Sequence, residues 1–369
     1  MQDFGFETIY IEKKCRDYPL TRNILDNTRC KNVEYIDSPS CMKKRDKGSV
    51  AGGKRDLLLA EQKGNFIKPC PGTKQYLCCN YYFLNFSTNC PLDCTYCILQ
   101  HYINNPYITV YVNLDKLRAD LDALSKSRKE LFRVGSGELT DSLVLDGITL
   151  YVQNILPLFE KYDNVLLELK TKTDQVSKLP VLERNQKVVT SWSLNPDTII
   201  EKEELKTASL EERLNAAYEC QKKGYRIGFH FDPLIHHPSW EKNYKKVVDR
   251  IFEKIDPANI LWISLGGLRF HPSLKNIVQQ RFPHTEIFLG ELIPCPDGKM
   301  RYVKPVRAEI YKRMAEWIRG YSPDPFIYFC MESREIYKEV LGFEPRNNKE
   351  LDRLFAKRVN QVYEGSLSR

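Results

Sequence analysis

Several features are missing from this chain, and each absence narrows the possibilities. No window holds the roughly 18 uncharged apolar residues of a membrane-spanning helix, so a helical membrane protein is excluded. The start, MQDFGFETIYIEKKCRDY, carries acids where a secretory leader needs a basic and then an apolar run, so a cytoplasmic location with no membrane partner is expected. No low-complexity tract is present, and nothing recurs at the periods of solenoid repeats. Neither sign of charge dominates: 56 Lys and Arg stand against 48 Asp and Glu, a net +8. So mild a basic excess permits a polyanionic partner without requiring one. The densest basic stretch, Lys43-Lys44-Arg45-Asp46-Lys47, runs through Gly-rich Ser49 to Gly53 into Lys54-Arg55. It reads first as a solvated loop, with a phosphate-contacting arm as the alternative.

What is present points to a globular enzyme-sized chain. The 369 residues are 42% apolar and 28% charged, enough for one elaborate domain or two smaller ones around a large core. Cysteine is abundant, with 12 residues. In a reducing compartment that count does not imply a disulfide framework. Some of these thiols must be buried, and some are candidates to hold a metal.

Residues 1–80 lack strong periodicity and read as an N-terminal extension of short strands and loops that packs on the rest of the chain. Beyond them, strand and helix signals alternate. Tyr107 to Val112 is β-branched and aromatic, a strand; Asn113 then caps a helix from Leu114 to about Ser127, apolar at Leu117, Leu121 and Leu124. A short strand Leu131 to Val134 closes on Gly135-Ser136-Gly137-Glu138. Helix 150–162, strand 165–169, a short helix near 176–182 and strand 188–194 come next. Helix 209–223 opens on a capping box, Ser209 with Glu212. Strand 225–232, helix 244–255, strand 260–265, helix 306–319, strand 326–330 and helix 334–341 complete the series. About six such units predict an α/β fold, a partial (β/α)6 barrel over residues 81–345, with C-terminal additions and a tail at 346–369. A doubly wound sheet is the alternative. In both, chemistry sits at the C-terminal ends of the strands.

The sharpest signal is Cys90-Pro-Leu-Asp-Cys94-Thr-Tyr-Cys97. Three thiolates in one tight loop suit an iron–sulfur cluster and leave one iron open for a small molecule. Structural zinc usually closes its shell with four ligands, often as C-x2-C pairs, so it is the weaker reading of this spacing. The motif, ahead of a run of βα units, resembles the radical S-adenosylmethionine (SAM) superfamily. The resemblance implies a [4Fe-4S] cluster on Cys90, Cys94 and Cys97, with SAM chelated to the open iron and cleaved to a 5′-deoxyadenosyl radical. Tyr96 fills the family's aromatic slot before the last cysteine. Ser136, Gly137 and Glu138 resemble its glycine-rich segment for the SAM amino group: glycine lets backbone approach, and a carboxylate pairs with an ammonium. Glu138, Lys170 and Ser193 lie at or near the ends of successive strands, where SAM's carboxylate and ribose are expected.

The likeness extends further. Ile9-Tyr10-Ile11-Glu12, Tyr18-Pro19-Leu20, Cys97-Ile98-Leu99-Gln100, Asn105-Pro106-Tyr107-Ile108 and Tyr111-Val112-Asn113 resemble the spore photoproduct lyase family. So do Gly224-Tyr225, Gly228-Phe229, Pro233, His237, Trp240, Tyr244, Arg269-Phe270 and Arg301-Tyr302-Val303-Lys304, in the family's order. That resemblance implies cleavage of a carbon–carbon bond in a damaged thymine of DNA. By position, Arg301 and Lys304 are expected near the phosphates of the lesion strand, and Tyr302 beside the lesion or on the radical-return path. A flavodoxin- or ferredoxin-type reductant and a monomeric protein are the further expectations.

Two departures stand out. The family's hydrogen-donating cysteine follows the second barrel strand, but here Glu138 takes that place, and no cysteine lies between Cys97 and Cys220. Ile98 stands where the family has a tyrosine that helps radical transfer. Among the other thiols, Cys70, Cys78, Cys79, Cys295 and Cys330 remain open as donors or extra ligands, while Cys15, Cys30, Cys41 and Cys220 read as ordinary. His236-His237 reads as a polar loop, and His230 as facing the barrel interior. Rival readings are a radical SAM enzyme on RNA, a nucleotide or a peptide, and a non-catalytic zinc-stabilised nucleic-acid-binding protein.

Overall fold

The computed structural model of the chain describes residues 5–42, 50–73, 75–183 and 186–365. The basic run Lys43 to Lys47 lies outside the described residues. Its neighbour Lys54 is not a solvated side chain: its Nζ donates to Leu92 O at 2.6 Å and to Asp93 Oδ1 at 2.9 Å.

The large sheet has eight strands. Its spatial order is Phe326–Phe329, Ile260–Gly267, Arg226–Leu234, Val188–Ser193, Val165–Thr171, Phe132–Gly135, Tyr82–Leu84 and Ile67–Pro69. Only the last pair is antiparallel; every other neighbour runs parallel. From Tyr82 onward each new strand adds to the same side of the sheet, with no reversal of order. A doubly wound sheet has such a reversal, where its ligands bind. Its absence here selects the partial barrel.

Helices Leu114–Ser127, Tyr151–Phe159, Leu210–Lys222, Trp240–Lys254 and Lys304–Tyr321 return the chain between strands. Each turns an apolar stripe inward, as with Leu117 and Leu121, or Val247, Val248 and Ile251. The capping box is formed: Ser209 N–H donates to Glu212 Oε2 at 2.7 Å, and Glu212 N–H to Ser209 Oγ at 3.3 Å.

Four expectations need correction. Tyr107 to Val112, counted first among the βα units, is not a barrel strand. Ile108–Tyr111 pairs with Asp56–Ala60 in a second sheet, ordered Val33–Ile36, Thr8–Glu12, Asp56–Ala60, Ile108–Tyr111 and Ser87–Thr88. Tyr82–Leu84 opens the barrel instead. Asn113 does not cap the following helix; its side-chain amide pairs with both backbone groups of Gln62, at 2.9 and 3.3 Å. No helix forms near Val176 to Leu182, where Pro180 removes a donor and only short turns occur. The C-terminal segment, expected as a tail, is the helix Asn348–Gly365. It buries Leu351, Phe355, Val359 and Tyr363, a strict four-residue spacing, and Phe355 packs on Trp262 and Tyr328.

The barrel interior is not wholly apolar. Arg133, Glu168 and His230 are buried at its centre. The Arg133 guanidinium lies 4.6 to 5.6 Å from the ring centres of Phe355, Trp262, Tyr81 and Tyr328. Its Nη1 donates to Tyr328 OH at 3.2 Å and pairs with Glu168 at 3.6 Å. Replacing one partner of a buried ion pair leaves the other charge uncompensated. Arg133→Ala is therefore expected to destabilise the fold by about 3–5 kcal/mol, read as a lowered urea midpoint.

Candidate active site

The cysteine loop follows the first barrel strand and is clamped on all sides. Asn89 adopts a left-handed backbone (φ 68°), and its side chain donates to Pro106 O at 2.6 Å while accepting from Cys90 N–H at 2.8 Å. Asp93 is shared by Lys54, at 2.9 Å, and Arg281, at 2.8 Å. Asp93–Cys94 pairs antiparallel with Glu204–Leu205. Gln100 Nε2 donates to the carbonyls of Cys94 and Thr95 at 3.2 and 2.8 Å.

Cys90 and Cys94 are buried and Cys97 half-buried. Burial, then Asp141, pushes the Cys90 thiol up to about 12, against the pull of Lys54. Cys94 is also raised, by burial first and then by Glu204, Cys97 and Cys90, while Lys172 pulls it down. The three thiols thus share one short loop, with Lys54 and Lys172 beside it. Among the described residues no three His, Cys, Asp or Glu side chains converge on a single metal ion. Three thiols of one loop leave a position open for a small molecule, which suits a cluster, whereas structural zinc normally takes four protein ligands.

Glycine-rich Gly135 to Glu138 lies at the end of the next strand. Ser136 N–H donates to Glu168 O at 3.0 Å, and Ser136 Oγ to Ser142 Oγ at 2.7 Å. Gly137 sits against Lys170: a Cβ there would lie 2.9 Å from Lys170 Cβ and 3.0 Å from its carbonyl oxygen. Asp141, which motif reasoning did not select, ties this loop to the following strand. It accepts from Leu143 and Val144 N–H at 3.0 Å, Thr171 Oγ1 at 2.7 Å and Lys172 N–H at 2.7 Å. Glu138 accepts a hydrogen bond from Tyr81 OH. Burial opposes the charge on Lys170, but Glu138, Glu168, Asp232 and Cys330 outweigh it and raise its pKa. Ser193 ends its strand buried, its carbonyl accepting from Arg213 Nη1 at 2.8 Å. Glu138, Lys170 and Ser193 thus occupy the same mouth of the barrel as the cysteine loop.

Tyr96 and Tyr302 meet in one apolar cluster with Ile199, Ile235, Leu268 and Phe270. The Tyr96 hydroxyl donates to Glu204, which also holds Arg213 at 2.6 Å and Asn195 at 2.8 Å. The Tyr302 hydroxyl accepts from His236 N–H at 3.1 Å. His236 and His237 lie in the loop after the strand Arg226–Leu234, as read from the sequence.

Arg301 is 1% exposed, clamped by Asp297 at 2.6 and 2.7 Å and stacked 4.3 Å from the Tyr76 ring centre. A guanidinium so enclosed braces its hairpin. Lys304 does reach solvent; it opens the helix Lys304–Tyr321 and pairs with Glu335 at 2.9 Å. Sequence reasoning also passed over Asp232, which grips Arg269 through two bonds of 2.8 and 2.9 Å at the mouth. A carboxylate at the end of a barrel strand was the available signal.

These observations define the class first: a partial (β/α) barrel of radical SAM type, with its three-cysteine loop on the first strand. The chain belongs to the spore photoproduct lyase family, whose model matches residues 4–324. It is 27% identical over 300 residues to the spore photoproduct lyase of Bacillus subtilis, covering 77% of this chain and 84% of that one. To the enzyme of Clostridium acetobutylicum it is 25% identical over 289 residues, covering 76% and 84%. To that of a Geobacillus strain it is 24% identical over 356 residues, covering 94% and 97%. Among solved structures, a spore photoproduct lyase complexed with dinucleoside spore photoproduct superposes with a TM-score of 0.79 at 23% identity, covering 89% of this chain and all 100% of that one. A variant lyase with bound AdoMet and dinucleoside spore photoproduct gives 0.78 at 23% identity, covering 89% and 100%. These likenesses establish the shared fold. Among the described residues no helix is long and apolar enough to cross a membrane.

The barrel centre titrates. His230 Nε2 lies 2.7 Å from Glu168 Oε1. Burial lowers the His230 pKa, although Glu168 pulls it up. Burial would raise Glu168, but Arg133 and His230 win and hold it well below the carboxylate range. On lowering the pH, the unfolded chain protonates its histidine near pH 6.5 (about the free value) before the folded chain does, so stability falls there. Glu168 contributes stability above its unfolded pKa of about 4.3, and this is lost as the pH falls further. His230→Gln is expected to flatten the step between pH 8 and 5 (roughly the span of histidine titration), measured as urea midpoints across that range.

Proposed function

We propose that this chain is a radical SAM lyase with one [4Fe-4S] cluster that cleaves a carbon–carbon bond in a damaged pyrimidine of DNA, a lesion of the spore photoproduct kind. The observation that carries this reading is that the Cys90-Cys94-Cys97 loop and Gly135 to Glu138 follow two adjacent parallel strands, with Gly137 against Lys170 of the next. Family membership supports it, as does the dinucleoside spore photoproduct bound by a relative of the same fold.

Cys90, Cys94 and Cys97 would hold the cluster. When bound, it supplies an electron to SAM and thereby a 5′-deoxyadenosyl radical able to abstract hydrogen from the lesion. The protein's own part is positioning. Gly137 lets backbone approach a ligand where a side chain would strike Lys170. Glu138 would present a carboxylate to the SAM ammonium, with Ser136 and Lys170 holding Ser142 in the loop it stands on. Ser193 lines the next strand end, where a ribose would lie. Tyr96 closes the wall beside the cysteines, and its hydroxyl is locked on Glu204. Tyr302 lies in the apolar cluster beside it and walls the space for an extruded base. Lys304 is the exposed cation for a phosphate. DNA is the macromolecular substrate. The electron comes from a flavodoxin- or ferredoxin-type reductant, and the protein acts as a cytoplasmic monomer.

Anaerobic reconstitution is expected to give a brown protein. The Cys90→Ala, Cys94→Ala, Cys97→Ala triple variant should lose both colour and iron; a colourless wild type with one tight zinc would overturn the cluster. Gly137→Ala is expected to weaken SAM binding by at least about tenfold by equilibrium dialysis, since backbone at Lys170 must shift. Ultraviolet-irradiated thymine oligonucleotides, offered with SAM and a reductant, should return thymine. Intact lesions beside abundant 5′-deoxyadenosine would reject DNA as substrate and redirect the search to RNA, nucleotides or peptides.

A further inference from the structure

Two short pairings tie distant parts of the barrel together. The edge strands Ile67–Pro69 and Phe326–Phe329 are not paired with each other, and among the described residues one bridge spans the gap between them. There Leu77 N–H donates to Glu332 O at 2.9 Å and Glu332 N–H to Leu77 O at 3.3 Å. The second pairing lies at the cysteine loop, where Cys94 stands opposite Glu204 in an antiparallel ladder of two residues. Residues so opposed turn to the same side, with Cβ atoms about 5 Å apart.

Glu204 brings a charge to that pairing. Its side chain and that of Arg213 are both 0% exposed, and Arg213 Nη2 lies 2.6 Å from Glu204 Oε2. The contact is an ion pair without an aligned hydrogen bond among the described residues. Oε1 accepts from the Tyr96 hydroxyl and from Asn195 Nδ2, the latter at 2.8 Å. Two donors and a cation thus surround the group, which keeps it a carboxylate. The hydrogen bonds of Arg213 run away from the loop: Nε to Ala208 O at 2.9 Å, Nη1 to Ser193 O at 2.8 Å and Nη2 to Thr207 Oγ1 at 2.6 Å. The pair therefore presents its carboxylate, not its guanidinium, to Cys94. A charge of the other sign is also present, for Lys172 Nζ lies 5.8 Å from the centre of the Tyr96 ring.

We propose that Glu204, with Arg213 as its counter-ion, sets the potential at which a cluster on Cys90, Cys94 and Cys97 takes up its electron. The inference rests on the cluster of the proposed lyase reading. Cleaving a sulfonium by one-electron reduction demands a low potential. Each electron gained makes a cluster more negative, so a cation such as Lys172 favours the reduced form and raises the potential. A carboxylate opposes that. Iron–sulfur potentials respond to the net charge and burial around the cluster. Glu204 acts through protein rather than water, so salt does not screen it as it screens a surface charge. Arg213 is what lets the carboxylate stay buried and ionised there. Glu204 and Arg213 act through the loop rather than on substrate, as positioning residues.

The full, reconstituted chain tests this without turnover. The midpoint potential is read by titration with dithionite in the absence of SAM, following the EPR signal of the one-electron-reduced cluster. Glu204→Gln removes the carboxylate and leaves Arg213, so it should favour reduction about tenfold, a rise of about 59 mV for one electron. Lys172→Met removes the opposing cation and should lower the midpoint. The double variant Glu204→Gln with Arg213→Met keeps a neutral pair, and its midpoint should fall between those of the wild type and Glu204→Gln. Glu201→Gln makes the same change of charge on the exposed side of the helix Asp197–Glu203 and should match the wild type. Damage to the loop predicts otherwise: Glu204→Gln and Lys172→Met would move alike, and losing both partners of the pair would shift the midpoint most. An unmoved midpoint in Glu204→Gln, shifts of one sign in Glu204→Gln and Lys172→Met, or a double variant displaced beyond Glu204→Gln would each overturn the inference. If Glu204→Gln does not fold, Lys172→Met still decides, since a midpoint that stays or rises there rejects it. A wild type that takes up no cluster fails at the lyase reading instead.

Discussion

A buried carboxylate organises this protein. Glu168 stands at the centre of the barrel with Arg133, His230 and Ser191 gathered round it, the last two at 2.7 and 2.8 Å. Those four residues come from four adjacent strands, so their bonds fix how the strands sit against one another. An apolar core would tolerate a slipped strand with modest loss. A buried charge does not, because each displaced partner leaves a desolvation penalty with nothing to offset it. The aromatic cage around Arg133 then carries the constraint outward to the helix Asn348–Gly365 through Phe355.

From that floor the mouth inherits its geometry. Glu168 and Lys170 share one face of the strand Val165–Thr171, and Glu168's carbonyl receives the amide of Ser136. Rigidity at the floor is thus transmitted to Gly137 and Glu138 one turn away. The cysteine loop is fixed from outside the barrel by Lys54 and Arg281 converging on Asp93. Two independent braces therefore meet at the site, one polar core below and one salt-bridged clasp beside it.

Much of this was legible in the sequence. Strand and helix periods located most elements within a few residues, because amphipathic stripes are written locally. The Cys90-Cys94-Cys97 spacing and the glycine-rich segment were legible for the same reason. Sheet membership was not: Ile108–Tyr111 is equally a strand whether it pairs with Asp56–Ala60 or with the barrel. The environment of Arg301 was not legible either, since a motif gives a position but not the Asp297 waiting four residues earlier to consume the charge. The four-residue spacing of Leu351, Phe355, Val359 and Tyr363 was there to be read as a helix stripe. The rest, including Asp141 and Asp232, depends on loops brought together by the fold.

The bridge between Leu77 and Glu332 has a bearing on how the molecule is made. Its two sides come from opposite ends of the sheet and are separated by nearly all of the barrel's sequence. Closing so long a loop is rewarded only after the intervening strands are laid down in order. During synthesis the mouth therefore stays open until the last strand emerges, and the chamber is assembled as one of the final acts of folding. An early fragment of the chain can own the cysteine loop and still lack a finished vessel to use it in.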